Sequence, residues 1–524
     1  VKFDRSTLER SSLILFCALL LLSCLWIGRG IDRFSHLQMD MDEALHANRG
    51  LDFASAVQRG DWRALWESFA KPAWYPPAHG LLLGAWFTLV GANIETARLY
   101  STLWYFLFGL MLWFSIREVL PQADPLIYLL PPLFLLADRL CSIHAALSML
   151  EMPAIGLSFA ALLLYQRAWR KRSPGKHFAA LLLALLSLLT RYNYGMVTIA
   201  VLALADAVRL WPELKSRQAS AMGRSALTGW IALAVSCGLW FIGLGQWRWF
   251  YDYATLPLKN HTLWSLANWL YYPRQLWQSE FGWLLIPLSI VAVAQAVRQP
   301  RNFSGVWLYC AFFLFGLALL TFRLYKISRF GMLITPSLWI MAAFGAEHLV
   351  SLSPYERLRS TMRLLLAVGV LGFGAYNLYH LNARLALAYE NLNDGADQAY
   401  RFIGDSLDIE QQRALEVVML GRTDQWSGQA LRFNLETRCM ANSGGCQVTV
   451  LDSREIRLGW PEQPFTEQEQ EERMARALEQ ARILVLFSEK QENPDGWRLI
   501  AARQFTFERQ GRKPSRLWVS IYRH

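Results

Sequence analysis

Long apolar runs, separated by short polar or basic stretches, fill the first three quarters of the chain. Runs of about 18 residues match what a bilayer core demands. The pattern predicts membrane-spanning helices over 12–30, 97–116, 124–138, 152–169, 177–190, 193–211, 226–245, 282–297, 305–322, 330–350 and 363–380, about eleven crossings. The first run, Leu13 to Ile27, is as apolar as a signal-peptide core, but no small-residue cleavage site follows and further spans lie behind it, so it reads as a retained helix. One apolar segment, Pro77 to Gly91, is left over. If it also crossed, the cluster Arg170–Arg172 would fall on the wrong side. Either this segment or 124–138 stays at the outer face. The first is preferred, because re-entrant backbone is tolerated where it lines a protein cavity. Both choices place Asp42 and Glu151 on the same, outer side.

Past Leu381 the pattern changes to short strands, Val417–Leu420, Val448–Leu451, Ile483–Phe487, Leu499–Phe507 and Leu517–Tyr522, interleaved with helical stretches. The fold class is therefore a mainly α polytopic membrane protein with a C-terminal α/β domain. A membrane domain covers 1–380, with an outer loop at 31–96, and an extracytoplasmic domain covers 381–524. Within the outer loop, Glu43–Val57 and Trp62–Phe69 are amphipathic and suited to the membrane interface. Residues 246–281 carry Trp247, Trp249, Trp264, Trp269 and Trp277, an interfacial aromatic belt. The hydrophilic stretch Thr466–Arg482 reads as a solvated helix.

Composition supports this class: 54% hydrophobic and only 18% charged residues exclude a disordered chain and an ordinary soluble protein. A net charge of +11 would suggest nucleic acid in a soluble protein. Here the basic residues sit in one set of loops: Lys2, Arg5 and Arg10; Arg167, Arg170, Lys171, Arg172 and Lys176; Lys215, Arg217 and Arg224; Arg298 and Arg301; Arg357, Arg359 and Arg363. The positive-inside rule assigns these to the cytoplasm, with the N-terminus, and no nucleic-acid partner is needed. Cys17, Cys24, Cys141, Cys237 and Cys310 lie in or beside spans as packing residues. Cys439 and Cys446 flank a short outer loop where a local disulfide is permitted. No zinc-type ligand spacing occurs.

The candidate chemistry lies at the outer mouth. Asp42 and Glu43 are adjacent, so on a helix they point about 100° apart and cannot serve one substrate atom equally. One would work, the other cap the helix that follows; alternatively both only cap it. Glu151 opens a span just before Pro153, with Arg139 and His144 upstream. As a second carboxylate facing Asp42 it would complete an acidic site; alone it is a cap. The loop Arg323-Leu-Tyr-Lys326-Ile-Ser-Arg329 places positive charge on the side where the charge rule does not require it. Lys326 and Arg329 suit a phosphate, or else anchor at the interface or pair with Asp42 or Glu43. Arg191 offers a further phosphate contact. Lys71 and His79 bracket the turn Tyr75-Pro76-Pro77, whose prolines fix the backbone.

Together, an outer-loop Asp-Glu, a Pro-Pro turn opening an apolar helix, a second acid before a span and a late Lys-x-x-Arg loop resemble membrane glycosyltransferases of the C-type fold. The branch they are most similar to is the bacterial relatives of protein O-mannosyltransferases and lipid A aminoarabinose transferases. The resemblance covers roughly residues 10–380. It implies a sugar donor on a polyprenyl-phosphate carrier, used at the outer leaflet of the bacterial inner membrane, and an acceptor that is a lipid, glycan or protein. It places the general base on Asp42 and the second acidic position on Glu151. Tyr75 stands where the family often has a basic residue, which throws the phosphate contact onto Lys326 and Arg329. No cofactor is required; a divalent ion is compatible but nothing in the sequence asks for one. The competing classes are a flippase or exporter of a lipid-linked sugar and a membrane-anchored sensor reading through 381–524.

Overall fold

The computed structural model describes residues 5–34, 39, 41–71, 75–216, 220–254, 262–279, 281–298, 305–323, 326–389, 396–407, 414–421, 427–443, 447–453, 466–492, 494–507 and 515–524. Lys2, Arg217, Arg301 and Cys446, and the side chains of Lys215 and Trp249, lie outside the described residues.

Each predicted span falls mainly on helix, with interruptions in 124–138 and 330–350. α1 (Arg5–Phe34) contains the first and leads to three helices of the outer loop, α2 (Met41–Gln58), α3 (Trp62–Ala70) and α4 (Ala78–Val90). Asp61 caps α3, its carboxylate accepting from the Ala64 amide. α5 (Ile94–Val119) begins with a reciprocal capping box between Asn93 and Thr96. Segment 124–138 is broken: a 3₁₀ turn runs into α6 (Leu130–Ala137), which bends by 68° against α7 (Arg139–Ala145) at Asp138, the cap of α7. Then come α8 (Glu151–Arg170), α9 (Pro174–Thr190), α10 (Tyr192–Ser216), α11 (Ala221–Gly238), α12 (Trp247–Ala254), α13 (Leu266–Gln278), α14 (Gly282–Arg298), α15 (Val306–Phe322), α16 (Thr335–Ser351) and α17 (Glu356–Tyr379). By length and apolarity, five described helices suffice to cross a membrane, or up to seven if each bent pair is one span. α9, α15 and α16 have 17 residues each, about 25 Å of helix and the lower edge of what a bilayer needs. α4, with 13 residues, is only about 20 Å long. It lies on α2 instead: a Cβ at Gly84 would sit 2.8 Å from the Gly50 carbonyl, so the two backbones touch.

Ion pairs mark the two ends of the bundle. At one end Arg117 pairs with Glu9, Arg167 and Arg170 with Glu118, and Arg363 with Asp124 and Glu347. Near that end buried Asp206 accepts from Tyr165, Trp169 and Trp230 and meets His177, tying α8, α9, α10 and α11 together. A buried carboxylate is tolerable only with such partners. Between the ends, an aromatic cluster of Phe108, Phe159, Tyr309, Phe312 and Trp339 joins α5, α8, α15 and α16. The ends of α1 and α9 and the starts of α5 and α8 meet at the opposite end.

After α17, α18 (Leu381–Tyr389) and α19 (Ala396–Ser406) lead into a five-stranded mixed sheet: β1 (Ala414–Leu420), β2 (Gln447–Asp452), β3 (Ile483–Ser488), β4 (Arg498–Phe507) and β5 (Ser515–Arg523). Its order is β2-β1-β3-β5-β4, with β1 parallel to β2 and β3, and β5 antiparallel to β3 and β4. α20 (Gly428–Ser443) makes the β1–β2 crossover and α21 (Glu467–Gln480) precedes β3. All five strands fall where the alternation predicts them. Cys439 is disulfide-bonded.

The sheet does not close its core alone. Ala44, Ala47, Leu51 and Ala54 of α2 and Leu83 and Phe87 of α4 share one cluster with Leu431 and Leu435 of α20 and Val417 and Val485 of the sheet. Asn48 donates to the backbone and side chain of Gln429, and Arg432 pairs with Asp52. Thus α2 is clamped between the C-terminal layer and α4.

Candidate active site

α2 carries the acidic pair on its first turn, where the helix dipole favours negative charge. The two side chains then diverge. Glu43 points inward and is fully buried. It takes both nitrogens of an Arg98 fork at 3.2 Å and the Ser148 amide at 2.9 Å. Arg98 also donates to the Phe34 carbonyl. Glu43 thereby ties α2 to α1, α5 and the turn before α8. Asp42 is about a quarter exposed and meets Arg329 at 2.9 Å.

Arg329 is shared. Its Nε lies 3.8 Å from Glu151, whose Oε1 also pairs with Arg191. Four residues from four segments therefore form one alternating chain, Asp42–Arg329–Glu151–Arg191. The pairing of Arg329 with Asp42 is the alternative weighed for the basic loop. Glu151 is buried, which by itself would push its carboxyl up; Arg191 and Arg329 outweigh this and hold it below the usual carboxylate range.

Local structure explains how each cation arrives. Arg191 is the single extended residue between α9 and α10. The helices turn so tightly there that a Cβ at Gly195 would lie 2.1 Å from the Leu188 backbone. Around Phe330 three guanidinium groups gather, Arg323 at 4.3 Å, Arg191 at 5.5 Å and Arg329 at 6.0 Å from the ring centre. Cations favour such a ring face. α13 holds the basic segment: Tyr272 and Gln275 donate to the Ile327 and Ser328 carbonyls. Lys326 is buried on the Leu320 and Thr321 carbonyls, 5.4 Å from the Tyr272 ring. Burial, with Arg323 beside it, lowers this ammonium to about 8.

The remaining candidates divide. Tyr75 and His79 line the same region: His46 packs edge-on against Tyr75 at 4.7 Å and against His79 at 5.7 Å. His144 is buried, bonded to the Leu140 carbonyl, and within electrostatic reach of Glu151, Arg191 and Arg329. Arg139 is not brought in. It is exposed at the start of α7, without an ion pair or hydrogen bond among the described residues. Lys71 is exposed and lines a separate cleft of ≈ 860 Å³ between α2, α3, α20 and β2, with Asp52, Arg59, Trp66 and Glu436.

Sequence reasoning missed His46, Arg49 and Arg98. The first two were findable: Asp42, His46 and Arg49 follow a 0, +4, +7 spacing, one face of a helix. Arg49 donates to the Tyr75 carbonyl and so fixes the Tyr-Pro-Pro turn. Burial keeps His46 neutral, lowering it to about 3. Among the described residues no three His, Cys, Asp or Glu side chains gather as a metal site needs.

No protein-family model and no curated sequence matches this chain. Solved structures do. ArnT from Cupriavidus metallidurans in the apo state is similar at 16% identity and a TM-score of 0.56, over 97% of both chains. The same protein bound to undecaprenyl phosphate gives 14% identity and 0.56, again over 97% of both chains. The mycobacterial arabinofuranosyltransferase AftD gives 13% and 0.53 over all of this chain and 40% of its own. The chain thus has the C-type fold of membrane glycosyltransferases, as its motifs lead one to expect.

Proposed function

We propose that this chain is a membrane glycosyltransferase that moves a sugar from a polyprenyl-phosphate carrier to an acceptor at the outer face of the bacterial inner membrane. The observation that carries this is the Asp42–Arg329–Glu151–Arg191 chain, with Arg323 on the same Phe330 ring and Lys326 three residues before Arg329, at the end of the bundle opposite the Arg117, Arg170 and Arg363 pairs. Carboxylate base and phosphate-binding cations then stand side by side where a lipid headgroup sits. The fold shared with ArnT, one structure of which holds undecaprenyl phosphate, supports the same reading. In this arrangement the eleven apolar segments cross the membrane, the N-terminus is cytoplasmic, and the C-terminal domain is extracytoplasmic.

The reaction is a single displacement with inversion. The donor phosphate draws Arg329 off Asp42 and engages Arg191 and Lys326. Asp42, released, takes the proton of an acceptor hydroxyl or amine as that atom attacks the anomeric carbon. The bond from that carbon to the phosphate oxygen breaks, and its electron pair leaves on the lipid phosphate, where the cations hold the developing charge. Glu151 keeps Arg191 and Arg329 in register. Glu43 anchors α2 and does not touch substrate. Asp42→Asn lowers turnover about 10²–10⁴-fold while undecaprenyl phosphate, measured by mass spectrometry of co-purified lipid, is retained as well as or better than in the wild type. Turnover at the wild-type rate in this variant excludes Asp42 as base. Loss of lipid retention in Lys326→Ala, Arg329→Ala, with fold intact, is the expected companion result.

A further inference from the structure

The cleft between α2, α3, α20 and β2 takes no part in the displacement. Asp52, on its wall, stands ten residues beyond Asp42 on the same helix, about 15 Å further along the axis. A molecule held there lies out of reach of the reacting atoms, yet against the helix that carries the base. The volume, ≈ 860 Å³, falls in the range of ligand sites.

Three features of the wall point to one ligand chemistry. Trp66 of α3 is 57% exposed. Phe69 stacks on it at 5.6 Å and is itself met edge-on by Trp240 at 5.4 Å, so the indole is braced from one side. It makes no other ring contact among the described residues. A free indole face is the negative side of an aromatic quadrupole, and the C–H groups of a sugar ring settle on such a face.

The second feature is a pair of held carboxylates. Asp52 and Glu436 are joined through Arg432. Asp52 Oδ2 and Glu436 Oε2 take no hydrogen bond among the described residues. Glu436 is only 6% exposed, so its carboxylate is fixed in place. Ionised carboxylates accept from hydroxyls, and the Ser68 and Thr449 hydroxyls on the same wall both donate and accept.

The third feature is the edge of the sheet. Among the described residues β2 pairs only with β1, and Val448–Leu451 line the cleft. An open edge invites an extended peptide to add as a further strand. Here Glu436 blunts it, because its Oε1 accepts from the Val448 amide at 3.3 Å. Backbone groups alternate along a strand, so of the wall residues only Val450 keeps both its N–H and its C=O on that edge. A ladder needs successive pairs; a hydroxyl needs one donor and one acceptor.

Resting on the transferase reading, we infer that this cleft is a saccharide subsite, which holds the remote part of a glycan acceptor while the glycan's growing end meets Asp42. The acceptor is then an oligosaccharide, since a single sugar cannot occupy the cleft and also reach a base about 15 Å away.

The test uses the full-length protein in lipid nanodiscs, with two readouts. Fluorescently tagged protein is applied to an array of bacterial O-antigen, capsular and peptidoglycan oligosaccharides, with extended peptides printed beside them. Retention of undecaprenyl phosphate is followed by native mass spectrometry. The wild type should bind at least one oligosaccharide, and Trp66→Ala should weaken that binding about tenfold while lipid retention is unchanged. Thr449→Trp, which fills the cleft from β2, should do the same, and it decides the outcome where Trp66→Ala also loses the lipid. Saccharide binding undiminished in both variants lies elsewhere on the molecule and overturns the inference. Binding of peptides alone, or of nothing on the array, overturns it too while retained lipid leaves the transferase reading standing. A wild type that retains no undecaprenyl phosphate removes that reading, and the acceptor role of the cleft with it.

Discussion

Asp42 and Glu43 differ by one position and by everything that surrounds them. The 100° step between neighbours on a helix sends one carboxylate to Arg329 at the rim and the other to Arg98 in the core. That divergence was legible in the sequence; which residue went where was not, because Arg98 lies 55 positions away and nothing local announces the pair. The consequence is measurable. Glu43→Gln leaves a buried guanidinium short of its counter-charge and should cost about 3–5 kcal/mol, seen as a lower Tm in detergent. Replacing both partners by Met should be milder than either single change. Asp42→Asn touches a partly exposed pair and should move stability by no more than about 1 kcal/mol. Lys326 makes a second prediction at this scale. Its ammonium titrates near 8 rather than near the usual 10.5, chiefly through burial. It is charged below that pH and neutral above it, so phosphate attraction fades as pH rises through 8. Undecaprenyl phosphate retention should therefore fall between pH 7 and 9 in the wild type and stay flat in Lys326→Met. A bound phosphate shifts the same titration upward, since it favours the charged form.

At the scale of elements, apolar runs and strand alternation located the long apolar helices and all five strands, because burial in lipid or in a sheet imposes a period that a sequence carries openly. The helices Trp247–Ala254 and Leu266–Gln278 lie where the pattern shows only an aromatic belt. Junctions were less legible. The 68° bend at Asp138 and the one-residue turn at Arg191 depend on which backbones meet, and that is decided by partners far along the chain. Gly195 is the place to test the turn. Its missing Cβ lets α10 rest directly on the backbone of Leu188. Gly195→Ala must separate α9 from α10 and drag Arg191 away from Glu151. The expected outcome is a lower Tm together with weaker retention of undecaprenyl phosphate. Gly229→Ala, whose one tight contact is the end of the Leu181 side chain, with His177 and Phe178 at ordinary contact distance, should lower neither as far. Equal loss at both positions would mean that bundle packing, not the placement of Arg191, sets lipid affinity.

For the molecule as a whole, the boundary near Leu381 divides the chain in sequence more cleanly than in space. Composition changes there, and the strands beyond it form a recognisable sheet. Yet α2, the helix that presents Asp42, buries Ala44, Ala47, Leu51 and Ala54 against residues on the far side of that boundary. It is also fastened by Asn48 to Gln429 and by Asp52 to Arg432. Sequence periodicity revealed an amphipathic α2 but not what covers its apolar face; the membrane interface was the expectation, and part of that face meets the C-terminal layer instead. Removal of residues after Asn382 should therefore not leave an intact catalytic half. It exposes the apolar stripe of α2 and frees the first turn that aims Asp42 at Arg329. Turnover should disappear, whereas lipid held by Arg191 and Lys326, which belong to the bundle, should persist in part. A milder cut at the same contact separates support from chemistry. Arg432→Ala with Gln429→Ala keeps the domain but loosens its hold on α2, and should lower turnover more than lipid retention. A truncated protein that transfers sugar at the full rate would show that α2 is positioned by Glu43 and Arg98 alone.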